Sequence, residues 1–462
     1  MKSTYMRWIL ALAVSLAVVA ALWPSEAGSP EEKAALEEGR IVITYWDRHT
    51  GHEFDERKVL IDEFNASQSE VYVRALPIGF TMEKLLTSIA AGTPPDILST
   101  EGTILDALAP QHCVMPLDTF IEKSESIEPD DFFPHLWRAV TFDGHTWGIP
   151  VTTDSICLLW NKAAFRRAGL DPERPPKTME ELLEYASKLT VRDGAGLKQI
   201  GFLPWLPWDH THMWGGLFGG QWFDDVSGRF VCGDDPQILA MFRWMQSFSI
   251  DPAAPAQLPY ALNPEMVAAF QTGFGAYQSA NNPFYSGKVA MTQEGEWQTS
   301  FIKRYAPELD WGVAPLPQPE GAPPRCYSPT CVLDLIPAGA PHPEAAWKYI
   351  EWFNSPRPGG QPSPASDYNH AICNIPCRRA DAMHERVLGD PAMSVFVNEL
   401  LTKEPLVYPV TPVAQFFIDQ VERERGLVIL RQRTPEQAAR AIEDSANAEL
   451  DRILTIMRHE RP

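Results

Sequence analysis

Ile41-Val-Ile-Thr-Tyr-Trp46, Val71-Tyr-Val-Arg-Ala-Leu76 and Pro95-Asp-Ile-Leu-Ser-Thr100 are short runs rich in β-branched and aromatic residues, the composition of strands. Between the first two, Val59, Leu60 and Phe64 share one face of a helix that opens near Asp55, an N-capping residue type. Between the second and third, Met82 to Ala91 reads as a helix that Gly92 stops. Strands alternating with helices at this spacing build βαβ units on a mainly parallel sheet, so the fold class is α/β.

A second α/β region starts after Gly148-Ile-Pro150. There Thr178-Met-Glu-Glu181 is a capping box, and Leu182, Leu183, Ala186 and Leu189 face inward along its helix. Residues 251–285, rich in Pro, Ala, Gly and Asn, read as an inserted loop with a short helix. Glu344–Asn354 is an amphipathic helix between the Pro-rich stretches 315–324 and 355–364, and Thr434-Pro-Glu-Gln437 caps the last helix. A chain of 462 residues exceeds one ordinary core, so two domains are expected.

Lys and Arg number 39 against 60 Asp and Glu, a formal charge of −21 with no basic run. Nucleic acid and an anionic membrane surface both require a basic patch, which excludes them as partners. At the N-terminus Lys2 and Arg7 precede Ile9–Leu22, apolar except for Ser15, and the small residues Ser25 and Ala27 follow. This is the pattern of a secretory signal over residues 1–27. A membrane anchor is the alternative, although the run is shorter than the ~20 residues that span a bilayer. Residues 28–40 read as a tether, and no Cys follows the apolar run to carry a lipid. The expected location is periplasmic or extracellular.

An exported chain can form disulfides, and the close pairs Cys326/Cys331 and Cys373/Cys377 are the natural candidates among Cys113, Cys157, Cys232 and these four. A zinc site from the same four lacks C-x-x-C spacing.

Four segments, in order, resemble one family. They are Ile89-Ala-Ala-Gly-Thr-Pro-Pro-Asp-Ile97; Asp143-Gly-His-Thr-Trp-Gly-Ile-Pro150 running on through Leu158-Leu-Trp-Asn-Lys162 to Leu189; Phe284-Tyr-Ser-Gly-Lys-Val-Ala-Met291 with Gly295-Glu-Trp297; and Glu344-Ala-Ala-Trp-Lys-Tyr-Ile350 with Asn374-Ile-Pro376. The chain is similar to the extracellular solute-binding proteins of ABC importers, in the sugar-binding class that includes maltose-binding protein. The resemblance implies a two-lobed periplasmic-binding-protein fold: residues 41–151 plus 312–360 form one lobe and 152–311 plus 361–462 the other. Crossings are expected near 150–155, 311–317 and 357–366. It also implies hinge closure on a ligand in the cleft and delivery to the membrane subunits of an ABC permease, with a monomer as the default.

A sugar presents apolar C–H faces and a rim of hydroxyls, which aromatic rings and carboxylates or amides respectively match. Trp46 ends the first strand, and Thr100 and Glu101 end the third, at the edge where α/β sheets bind ligands. The resemblance implies ligand contacts from Asp154, from Trp297 in Gly-Glu-Trp together with Glu296, and from Tyr408 in the closing segment. It places Trp205-Leu-Pro-Trp-Asp-His-Thr-His-Met-Trp214 in the ligand loop of the second lobe, which nominates Trp205, Trp208, His210 and Trp214. His210 and His212 with Asp209 are a rival metal set, as are His49 and His52 beside Glu53, but both lack the H-E-x-x-H pattern. No metal or cofactor and no catalysis are expected. The alternatives are a secreted carbohydrate-active or metal-dependent enzyme, with Glu294 and Glu296 as its carboxylates, and a ligand sensor for a membrane receptor.

Overall fold

The computed structural model describes residues 29–460 apart from 80, 81, 195, 208, 209, 255, 276–278 and 329. The expected signal segment, 1–27, lies outside the described residues. Residues expected as a tether instead carry a helix, Pro30–Glu37, capped by the Ser29 hydroxyl accepting from the Glu32 N–H at 3.2 Å. Its Ala35 is buried and its Glu32 pairs with Arg74 at 3.2 Å, which docks the helix on the sheet.

The principal strands are Ile41–Asp47 (β1), Val71–Pro77 (β2), Ile97–Glu101 (β3), Ile149–Thr153 (β4), Ile156–Asn161 (β5), Met291–Gly295 (β6), Trp311–Ala314 (β7), Cys331–Leu335 (β8) and Ile375–Pro376 (β9). The helices that matter to the site are His52–Ser67 (α1), Gln298–Tyr305 (α2), Pro364–Ile372 (α3), Pro391–Thr402 (α4), Ala414–Ile429 (α5) and Pro435–Glu460 (α6). A six-stranded sheet has the order β9-β4-β8-β3-β1-β2, and a three-stranded sheet has the order β6-β5-β7.

Parallel pairing joins β1 to β2 and β3, as the alternation of strand and helix requires. The remaining strands of these two sheets pair antiparallel. β5 carries the two-residue period of a strand buried on both faces. Cys157 and Leu159 face the core beneath the six-stranded sheet, while Ile156, Leu158 and Trp160 face a second core with Phe165, Leu182 and Phe417.

The observed division departs from the expected boundaries. β7 pairs with β5, so the chain returns to the six-stranded sheet only after Ala314. α3 and β9, expected in the second lobe, belong to the first sheet: β9 pairs with β4, and Asn369 of α3 donates to the Val151 carbonyl at 3.0 Å. The third crossing therefore follows Pro376 instead of lying within 357–366. Beyond it α4 packs on β7, while α5 and α6 close the second core. Thr434 and Gln437 cap one another at 3.2 and 3.0 Å, whereas Thr178 accepts from the Glu181 N–H at 3.2 Å and Glu181 accepts in turn from the Lys177 N–H at 2.8 Å.

All seven cysteines are buried free thiols. The expected pairs do not form because their members enter different environments. Cys326 lies in a ribbon paired to residues 404–406, whereas Cys331 opens β8 of the six-stranded sheet. Cys373 ends α3 with φ at 56°, and Cys377 lies beyond β9.

Candidate functional site

β1 and β3 are parallel neighbours, so their C-terminal ends open at the same edge of the sheet. From the first end Arg48 reaches across to Glu101 at the second and forms an ion pair. Next to it the His49 N–H donates to Asp47 at 2.8 Å, and the His49 ring meets the Tyr368 hydroxyl at 3.0 Å. Thr100, fully buried, has a hydroxyl without a hydrogen-bond partner among the described residues.

The chain then crosses from β4 to β5 through Asp154 and Ser155. Register decides what meets this turn: Gly295 pairs with Ile156, so Glu296 falls opposite Ser155. The Ser155 N–H donates to Glu296 at 3.0 Å. Asn374, between α3 and β9, donates through Nδ2 to Asp154 at 3.1 Å and to Glu296 at 3.3 Å. Three separate stretches of chain thus hold two carboxyls together where the two sheets meet.

These carboxyls are hydrogen-bonded to each other and cannot both ionise at ordinary cost. Burial raises Asp154 to about 6, against the opposing pull of the hydrogen bond from Glu296 and of the Arg48 charge. Burial, with the neighbouring Asp154 charge second, raises Glu296 well above the usual carboxylate range. Glu296 therefore keeps the shared proton and donates it to Asp154, which leaves Asp154 as the charged acceptor of the pair.

Trp297 follows directly and packs partly buried against the second core. Its ring covers Gly295 so closely that a Cβ there would fall 1.9 Å from it, so only glycine permits the placement. Its indole N–H has no partner among the described residues. On the other flank His212 meets the Tyr327 hydroxyl, which donates to Tyr408 at 3.1 Å. The Tyr408 ring lies 4.7 Å from that of His212, and His210 lies 5.4 Å from Tyr327. His212, Tyr327 and Tyr408 help line a cavity of about 740 Å³. Both tyrosines feel the charges of Glu101 and Asp154.

The structure therefore gathers Glu101, Asp154, Glu296 and Trp297, with Thr100 buried at the end of the same strand, and sets His210 and Tyr408 on the adjoining flank. Trp46 is half-buried against the first core. Two nominated tryptophans lie elsewhere. Trp214 is sealed in the second core, its N–H donating to Gln293 at 2.8 Å and its ring 4.7 Å from Trp244. Trp205 packs edge-on against Phe248 and lines a separate pocket with Leu262 and Val267. Trp208 lies outside the described residues. Arg48, Asn374, Tyr327 and His212 were not nominated; Arg48 follows a strand end and Asn374 opens Asn-Ile-Pro, signals that were visible.

The sequence matches the model of bacterial extracellular solute-binding proteins over residues 59–359. The chain belongs to this family. Among curated relatives, the solute-binding protein is 26% identical over 290 residues to the sn-glycerol-3-phosphate-binding periplasmic protein UgpB of Escherichia coli K12. That match covers 60% of the chain and 61% of the relative, less than two thirds of its length. The UgpB of Salmonella typhimurium is 24% identical over 437 residues, covering 89% of the chain and 93% of that protein. Among solved structures, CpMnBP1 with mannobiose bound superposes with a TM-score of 0.76 at 28% identity, covering 88% of the chain and all of CpMnBP1. Maltose-bound T. maritima MalE3, at 20% identity and a TM-score of 0.69 over 89% of the chain, shares the fold.

The metal reading does not gather ligands in this solute-binding protein. Burial holds His212 well below the usual imidazole range, and Tyr327 occupies its Nε2. Among the described residues no group of three or more His, Cys, Asp or Glu is placed to hold a metal ion, and Asp209 is outside them.

Proposed function

We propose that this solute-binding protein captures a carbohydrate, an oligosaccharide in the first instance, between its two halves and delivers it to the membrane subunits of an ABC permease from the periplasmic or extracellular side. The observation that carries the reading is the Asp154–Glu296 pair held by Asn374 beside Trp297. Sugar hydroxyls donate well to a charged acceptor, and the Asp154 carboxylate is one. The adjacent indole supplies a flat apolar face for the ring C–H groups. Closure follows from the same geometry: a ligand touching residues from both sheets binds the closed arrangement more tightly and shifts the population toward it.

The mannobiose bound to CpMnBP1 supports a carbohydrate. The name of the UgpB relatives raises a phosphorylated polyol, but Arg48 is already paired by Glu101 and feels the neighbouring Asp154 charge, a poor setting for a dianion. An enzymatic reading is also disfavoured by distance. Glycosidase carboxyls flank the scissile bond about 5 Å or more apart, whereas of the expected pair Glu296 is in hydrogen-bond contact with Asp154 and Glu294 is buried on β6. Calorimetric titration with mannobiose, mannotriose, maltose and glycerol 3-phosphate decides among these. Heat from a sugar that disappears in Trp297→Ala is the expected result; heat from glycerol phosphate alone would overturn the assignment.

A further inference from the structure

A second cavity, of about 450 Å³, opens between the two halves of the molecule. α1 and α3 supply His52 and His370 from the side of the six-stranded sheet, and α2 supplies Ser300, Lys303 and Arg304 from the side of the three-stranded sheet. The lining has a single carboxylate, Asp390, in a chain whose acids outnumber its bases by 60 to 39.

That carboxylate is already committed. It caps α4 by accepting from the Ala392 and Met393 N–H groups at 2.9 and 3.2 Å, and it pairs with Lys303 at 3.2 Å. Arg304 lies against the Tyr305 ring at 5.8 Å, and among the described residues no carboxylate pairs with it. His52 leans toward Glu56 on its own helix at 3.6 Å. Burial and the charges of Arg386 and Lys303 hold His370 below the usual imidazole range, as an electropositive setting does. The Ser300 hydroxyl makes no hydrogen bond among the described residues. Asn374, 7% exposed, closes one wall, and its amide holds Asp154 and Glu296.

We propose that this cavity binds a small phosphate-type oxyanion, held by Arg304, Lys303 and Ser300 on one wall and by His52 and His370 on the other. A guanidinium without an acid, an ammonium and a free hydroxyl form the donor set that phosphate oxygens take, and the fixed excess of positive charge rejects cations. An anion touching both walls binds best when they stand at this separation, so it biases the two halves toward this arrangement. Asn374 carries that bias to the carboxyl pair. This last coupling, unlike the anion site, rests on the carbohydrate reading above.

The test is calorimetry of the full chain with inorganic phosphate, repeated with glycerol 3-phosphate to separate a free anion from the phosphate group of a polyol. Phosphate binding weakened about tenfold or more in Arg304→Gln, the worth of one charge-assisted contact, is the expected result. Arg304→Gln keeps the Lys303–Asp390 pair, and thermal unfolding confirms that it folds. No phosphate heat, or heat unchanged in Arg304→Gln, overturns the site. Mannobiose affinity that rises with phosphate in the parent protein but not in Arg304→Gln supports the coupling, and its constancy in both overturns it. If no sugar binds while the phosphate signal still depends on Arg304, the anion site stands and the carbohydrate assignment fails.

Discussion

The amide of Asn374 lies 3.1 Å from the carboxylate of Asp154, joining the loop before β9 to the strand crossing between the sheets. With Glu296 accepting from Ser155 beyond it, one hydrogen-bonded knot stands where the two halves meet.

The first prediction concerns pH. The folded-state value of Asp154, about 6, lies above the ordinary carboxylate value, so between the two the folded chain holds more protons than the unfolded one. The contribution is fully present below the ordinary value and is lost as pH rises through about 6, with a slope up to about 1.4 kcal/mol per pH unit. Thermal denaturation should show the parent protein losing stability between about pH 4 and pH 7 relative to Asp154→Asn. A difference between the two that does not change with pH would refute the buried, raised carboxyl.

A second contrast separates two tryptophans. Trp297→Ala should weaken carbohydrate binding by about 2 kcal/mol, the size of an interface anchor, with a small change in melting temperature. Trp214→Ala should instead destabilise the fold by about 3–5 kcal/mol, because it empties a sealed core position and orphans Gln293. Equal effects of both on stability would move Trp297 into the core.

Chelation supplies a third check. Treatment with EDTA should leave sugar affinity unchanged, since His212 is neutral and engaged by Tyr327. Loss of binding that returns with zinc would revive the histidine metal site. Tyr327→Phe, which frees the imidazole, should also create no metal dependence.

The thiols are open to direct counting. Seven reactive thiols are expected in denaturant without reductant and almost none in the native protein, because every cysteine is buried. Burial also raises Cys157 and Cys377 well above the usual thiol range and Cys331 to about 12, which suppresses thiolate attack. Fewer than seven in denaturant would reveal disulfides that the structure lacks.

Much of the fold was legible because its signals are local. The β1 and β2 runs and the Thr178 and Thr434 caps each follow from neighbouring residues. Glu101 was nominated from a strand end, and Asp154, Glu296 and Trp297 from the family resemblance of the segments around them. Trp214 was not separable in this way: an indole in a Pro-rich loop has the same composition whether it faces a ligand or a core. Helix packing placed it beside Trp244, thirty residues on in sequence.

Local composition and period determined the α/β class, the acidic surface and the strand ends where a site could lie. Tertiary structure alone decided which of those ends meet: the register of β6 on β5 set Glu296 opposite Ser155, and the third crossing after β9 brought Asn374 to Asp154. The physical reason is that a hydrogen bond between residues 220 positions apart depends on how whole elements pack, and no short window of sequence carries that information.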